Sequence, residues 1–256
     1  MTEYTDHHGP EGLRTRGTVV VVPGRGETRS AYTRLGKRLA ADAYRVRVVD
    51  TPDLDEGDLE GSLTRFGEQL AAAADDSAAG EDGPVRPLVL VGADNGAVAL
   101  AALLGGSGVP SAVRPDAVVL AGTPGGGAAA VGGWEDELDV RTSCPAHRGA
   151  LTEDAGTRRG ALAEALPEAL LTAAQEGGIG VPALLLVGDA DPLADREALV
   201  RTAKSLPRAR LAVVRDAHHD VLNDLQHRSV AAEIVTFLET LRNELVPVVT
   251  VDSSAW

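Results

Sequence analysis

Apolar residues along this chain follow two rhythms that alternate. Short unbroken runs read TVVVVPG at 18–24, RVRVVD at 45–50, PLVLVG at 87–92, DAVVLAG at 116–122, VPALLLVG at 181–188 and ARLAVV at 209–214. Runs this short, rich in branched residues and stopped by Gly, Pro or Asp, predict strands buried on both faces of a sheet. Between them the apolar positions recur at helical spacing. Tyr32, Leu35 and Leu39 share a face in one segment, and Leu59, Leu63, Phe66 and Leu70 share a face over 57–75. NGAVALAALL at 95–104 predicts an apolar helix, and further helices are expected near 194–206 and 226–243. Val230, Ile234, Phe237, Leu238 and Leu241 stripe the last of these, as a helix packed on a core requires. EDGP at 81–84 reads as a turn. Strands alternating with helices imply parallel pairing through right-handed crossovers.

The rhythm breaks between 123 and 180. That stretch opens TPGGGAAAVGG, passes Trp134 and RTSCPAHRG, and carries one expected helix near 160–175. An insertion there, between the fourth and fifth strands, predicts a short cap over the carboxyl edge of the sheet. The expected organisation is a polar arm at 1–16, a core at 17–126 and 181–245, a cap at 127–180 and a tail at 246–256. For the tail, a disordered end, an edge strand and a partner contact all stay open.

Composition changes this picture in few places. At 44% apolar but only 3% aromatic content, the core must be mainly Ala, Val and Leu. A net charge of −14 argues against nucleic acid and anionic membranes as partners, since like charges repel. Cys144 is the single cysteine, so an internal disulfide is excluded. The N-terminus lacks an apolar signal core, and no run approaches the ~20 apolar residues of a membrane span. The expectation is a cytoplasmic protein with a small-molecule substrate, and homo-oligomerisation is left open.

The candidate chemistry lies at the ends of three strands, where ligands sit in an open parallel sheet. The third strand runs into Gly92-Ala93-Asp94-Asn95-Gly96, a G-x-S-x-G frame with aspartate in the serine position. The fifth ends in GDADP, with Asp189 and Asp191, and the sixth in DAHHD, with His218 and His219. Nucleophile position, acid and histidine follow in that order along the chain. The chain therefore resembles the α/β-hydrolase superfamily over roughly residues 17 to 243. In detail it is similar to the monoglyceride lipase and lysophospholipase branch, through PGRGETRSAYTRLGKRLA and HHDVLND. That resemblance implies a mostly parallel sheet flanked by helices. It also implies a site of Asp94, Asp191 and His219, with backbone donors at Gly24, Arg25 and Asn95. Two antiparallel strands that open the family's sheet are not evident. Gly92 and Gly96 would permit the sharp, strained turn that leaves residue 94 exposed.

A carboxylate at the elbow changes the reaction. Attack on an ester would give an anhydride, whereas attack on an epoxide or alkyl halide gives an ordinary ester that water activated by His219 can cleave. Epoxide hydrolases and haloalkane dehalogenases of this superfamily use aspartate at this position. The tyrosines here, Tyr4, Tyr32 and Tyr44, lie outside the cap, and Asn95 stands where those dehalogenases place tryptophan. Acid activation would then fall to Arg25, His147 or His218, and Trp134 could meet substrate. The cap and elbow, mainly Ala, Gly, Val and Leu, suit a small and fairly apolar molecule. Three alternatives stay open: acid and base catalysis by Asp94 and His219 in a lyase, isomerase or cyclase; a non-catalytic binding protein; and an esterase, if Asp94 stands in for a native serine. Arg141, Arg148, Arg158 and Arg159 could face an anionic substrate or pair with acids at 135–139 and 153–154. No metal-ligand spacing appears in the sequence, and no nucleotide fingerprint, so neither metal nor cofactor is expected.

Overall fold

A computed structural model describes residues 3–75, 83–106, 113–126, 128–176 and 178–254. Seven strands form one sheet: β1 (Tyr4–His7), β2 (Thr18–Val22), β3 (Arg45–Val49), β4 (Leu88–Ala93), β5 (Ala117–Ala121), β6 (Ala183–Gly188) and β7 (Ala209–Val214). They stand in the order β1-β3-β2-β4-β5-β6-β7. All neighbours pair in parallel except β1 with β3. Eight α-helices are described: α1 (Thr33–Ala41), α2 (Leu59–Ala74), α3 (Asp94–Gly105), α4 (Trp134–Arg141), α5 (Pro145–Glu153), α6 (Glu168–Glu176), α7 (Arg196–Ser205) and α8 (His227–Arg242). None of the described helices is long and apolar enough to cross a membrane.

The valine and leucine runs stay in strands because each face of the sheet is covered, and alternate residues serve alternate faces. Val19, Val21, Val89, Val91, Val119 and Leu184 pack with Leu35 and Leu39 of α1 and with Ile234, Phe237 and Leu238 of α8. Val20, Val22, Leu88, Leu90, Val118 and Leu185 point the other way, onto Phe66 and Leu70 of α2, Leu100 of α3 and Leu199 of α7.

Two expectations are corrected. The segment 1–16, expected as an arm, contributes β1, an antiparallel edge strand with Tyr4 opposite Val49 and His7 opposite Val46. Its pattern is hidden because charge pairing, not apolar alternation, holds it. Asp6 bonds Arg45 at 2.8 Å and Arg47 at 3.4 Å, and the Arg47 guanidinium lies 5.0 Å from the Tyr4 ring centroid. The insertion is also more regular than one helix: α4, α5, a single turn at Ala161–Ala163 and α6 all fall within it. Acidic α4 escapes the apolar pattern because it buries Glu137 and Arg141 as an ion pair instead. Part of the turn expected at 81–84 and residue 127 of the insertion lie outside the described residues. In the tail, residues 247–254 form neither helix nor strand, and Val248, Val249 and Val251 are exposed.

Candidate active site

β4 ends at a backbone reversal centred on Asp94, whose φ is +47°, a left-handed value that costs a non-glycine residue. The flanking glycines permit it by close approach. A Cβ on Gly92 would stand 2.7 Å from Ala97 Cα, and one on Gly96 would stand 2.7 Å from the Pro23 carbonyl oxygen. Asp94 thus begins α3 at the carboxyl edge of the sheet, between the β2–α1 loop and the loop after β7.

Three predicted residues meet there. Asp94 Oδ1 is 3.2 Å from His219 Nε2, and His219 Nδ1 is 3.0 Å from Asp191 Oδ2. The local rivals for the acid are engaged elsewhere. Asp189 accepts from the Asp216 backbone N–H, and Asp195 caps α7 through Ala198 N–H. Asp191 itself is fixed by Leu193 N–H on its other oxygen, at 2.8 Å.

Arg25, expected as a backbone donor and as one candidate for acid activation, also binds Asp94 through its side chain. Its Nε donates to Asp94 Oδ2 at 2.8 Å and its Nη2 to Oδ1 at 2.9 Å, a two-pronged ion pair. The Arg25 backbone N–H also donates to Oδ2, at 2.8 Å, and Nη1 reaches the Glu164 carbonyl of the insertion. This overturns the exposed elbow side chain. Asp94 is 3% exposed and Arg25 4%, because the arginine lies across the carboxylate. Burial opposes ionisation of Asp94, yet hydrogen bonds and charge from His219 and Arg25 hold it far below the usual carboxylate range. For His219, burial works downward, but the charge and hydrogen bond of Asp191, then those of Asp94, raise its pKa to about 10.

The backbone donors divide differently from the expectation. Arg25 N–H already holds an oxygen of Asp94. Gly24 N–H does not face that centre: it donates to Glu27 Oε2 at 2.9 Å. Asn95 N–H belongs to the first turn of α3, where no intrahelical acceptor exists. The Asn95 side chain is buried, with Oδ1 unpartnered.

The remaining candidates lie apart from Asp94. His218 Nδ1 pairs with Asp224 Oδ2 at 3.0 Å, while Trp134 donates to Thr152 Oγ1 and carries the Arg159 guanidinium over its ring. Arg148 pairs with Glu135 and Asp139, and Arg158 with Glu164, so these arginines meet acids of the insertion. His147 enters a second buried cluster, with Glu27, Asp220, Arg141 and Tyr32. His147 Nε2 lies 3.0 Å from Asp220 Oδ2 and 3.6 Å from Glu27 Oε1. These ligand-type atoms come from distant segments, so no spacing motif could reveal them. Burial first, and then the charge of Asp220, raise the Glu27 pKa, whereas Arg141 and His147 outweigh burial and lower that of Asp220.

A mostly apolar cavity of about 60 Å³ lies between α3, α6 and α7, and none of Asp94, Arg25, Asp191 and His219 lines it. Val98, one turn along α3 from Asp94, lines it with Leu120, Leu171, Ile179 and Leu185.

No protein-family model matches the chain, and no curated protein matches it in sequence. Solved structures do match in shape. A soluble variant of monoglyceride lipase from Saccharomyces cerevisiae, bound to a substrate analog, superposes with a TM-score of 0.69 at 15% identity, covering 93% of this chain and 91% of that one. A monoacylglycerol lipase from Paleococcus ferrophilus gives 0.69 at 16%, covering 94% and 99%. The enol-lactonase from Burkholderia xenovorans LB400 gives 0.59 at 18%, covering 93% of each. With β4 leading into a strained elbow and six parallel strands in this order, these likenesses show one thing: the chain has the α/β-hydrolase fold.

Proposed function

We propose that the protein is a hydrolase that opens a small, fairly apolar electrophile, an epoxide or alkyl halide, with Asp94 as nucleophile. The observation that carries this reading is the division of labour across one carboxylate. Oδ2 sits against a backbone N–H, that of Arg25, while Oδ1 faces the imidazole of His219, itself oriented by Asp191.

The chemistry follows from that division. Oδ1 attacks the saturated carbon, the carbon–oxygen or carbon–halogen bond breaks, and its electron pair leaves with oxygen or halide. Asp94 becomes a neutral alkyl ester. Arg25 loses its carboxylate partner at that moment and is free to pair with the departing anion. An alkoxide takes the Nε2 proton of His219, whereas a halide leaves as such and the proton goes to solvent. Neutral His219 then removes a proton from water, and the oxygen attacks Asp94 Cγ. Negative charge develops on Oδ2, where Arg25 N–H receives it. The Cγ–Oδ1 bond breaks, His219 returns its proton to the leaving alcohol, and the new acid gives its proton back to the imidazole.

A second reading draws on the burial of the same carboxylate. Arg25 covers both its oxygens, so a protein using the fold as a binding frame would need no open Asp94. Turnover of an epoxide and haloalkane panel in oxygen-18 water separates these. Label in the peptide carrying residue 94 supports the nucleophile; turnover without label assigns Asp94 to acid–base chemistry; inertness across the panel, in wild type and in Arg25→Met alike, favours binding alone.

A further inference from the structure

We propose that Glu27, His147 and Asp220 form a binding site for one divalent transition-metal cation. Glu27 Oε1, His147 Nε2 and Asp220 Oδ2 converge from the β2–α1 loop, α5 and the loop after β7, all within 4.8 Å of one another. Ions of this class hold N and O ligands at about 2.0–2.2 Å, which sets ligand atoms roughly 3 Å apart. The two separations at His147, 3.0 and 3.6 Å, fit a shared ion between them.

A second observation is independent of the convergence. Glu27 Oε1 has no hydrogen-bond partner although its side chain is only 1% exposed. A buried carboxylate oxygen left bare is costly. Its sister atom is fully engaged: Oε2 accepts from Gly24 N–H and from the Tyr32 hydroxyl. Asp220 Oδ1 stands 3.5 Å from Arg141 Nη1 in an ion pair, and its Oδ2 shares with His147 Nε2 a hydrogen bond that a cation would replace. Glu27 is thus oriented through one oxygen and offers the other, as groups around a metal ligand aim it.

Charge points the same way. Three buried carboxyl groups, Glu27, Glu137 and Asp220, surround a single guanidinium, that of Arg141. One imidazole with two carboxylates suits zinc, iron(II), cobalt(II) or manganese(II) rather than a soft ion. The site adjoins the elbow without sharing an atom with it. Glu27 shares the loop of Arg25 and Asp220 follows His219, so a bound ion would tie those two loops together. Binding stands whether or not Asp94 is a nucleophile.

The test uses the full chain, stripped with chelator and titrated with cobalt(II) chloride while visible absorption is followed. One equivalent should bind, with the bands of N/O coordination and no thiolate charge-transfer band. Glu27→Gln, Asp220→Asn and His147→Ala should each weaken binding by about 100-fold or more. A chain with His7 and His8 replaced by Gln should bind as wild type. No cobalt uptake by wild type, uptake unchanged in Glu27→Gln, or uptake lost with His7 and His8 would each overturn the site. Where a variant fails to fold, wild type still decides: cobalt must raise its melting temperature, since an ion that binds only the folded chain stabilises it.

Discussion

Arg25 and Glu27 stand two residues apart on one loop, yet they enter buried clusters of opposite quality. Around Arg25 the charges are matched: both oxygens of Asp94 have donors, and His219 is bonded through both ring nitrogens. Around Glu27 they are not. Glu27 Oε1 and Arg141 Nη1 are buried without hydrogen-bond partners, and two carboxylates crowd one imidazole. A closed cluster resists change because removing any member strands the others. An open cluster has room for something more. On one loop, then, a sealed catalytic candidate backs onto an incomplete polar site.

Matched amide substitutions test that contrast most sharply. Asp94→Asn leaves the Arg25 guanidinium and the His219–Asp191 pair without their central charge. Breaking a buried pair from one side costs about 3–5 kcal/mol, so chemical denaturation should show a loss of that order, and panel turnover should vanish. Glu27→Gln in the metal-free chain should change stability by no more than about 1 kcal/mol. The new amide keeps an acceptor for Gly24 and Tyr32 and turns a donor toward Asp220. Equal losses in the two variants would erase the distinction between the clusters.

Backbone fit at the elbow should yield the next effect. Gly92→Ala places a methyl against the backbone of Ala97, where no side chain can swing aside. Overpacking of this kind costs about 1–3 kcal/mol. It should also pull Asp94 off Arg25, so the loss should shrink when Asp94→Asn is already present. Strict additivity in that double-mutant cycle would mean that the turn and the ion pair are independent.

The legible parts of this protein are those governed by local pattern. The Val and Leu runs mark β2, β4, β5 and β6 because burial on both faces leaves no place for polar residues. The G-x-D-x-G frame marks the elbow because only small residues fit beside the reversal at Asp94. Arg25 could not be read as the cover of Asp94, since a lone arginine after Pro-Gly looks like any solvated loop residue. The Glu27 cluster was equally hidden, its ligand atoms being brought together only by the crossovers. β1 escaped for a third reason: Asp6 at the centre of the strand looks like an argument against one until Arg45 and Arg47 stand opposite.

That edge provides the mildest case, an ion-pair group with solvent access. Asp6 is 20% exposed in its side chain, so water screens what the two buried clusters feel in full. Burial works to raise its pKa, but the hydrogen bond and charge of Arg45, followed by the charge of Arg47, lower it below the model-peptide value of 3.8. A carboxylate depressed in the folded state contributes stability above its unfolded value and loses it as pH falls through the folded value. The attachment of β1 should therefore be constant down to about pH 4 and weaken below it. Amide exchange at Tyr4–His7, compared with that of β4, should accelerate selectively over that range, by an amount corresponding to about 1 kcal/mol or less. Asp6→Asn should show the faster exchange already at neutral pH and no further selective change on acidification. Were β1 in that variant to keep the wild-type acid response, its backbone pairings and the packing of Tyr4 on the core and beneath Arg47 would hold the strand, and the Asp6 carboxylate would be a bystander.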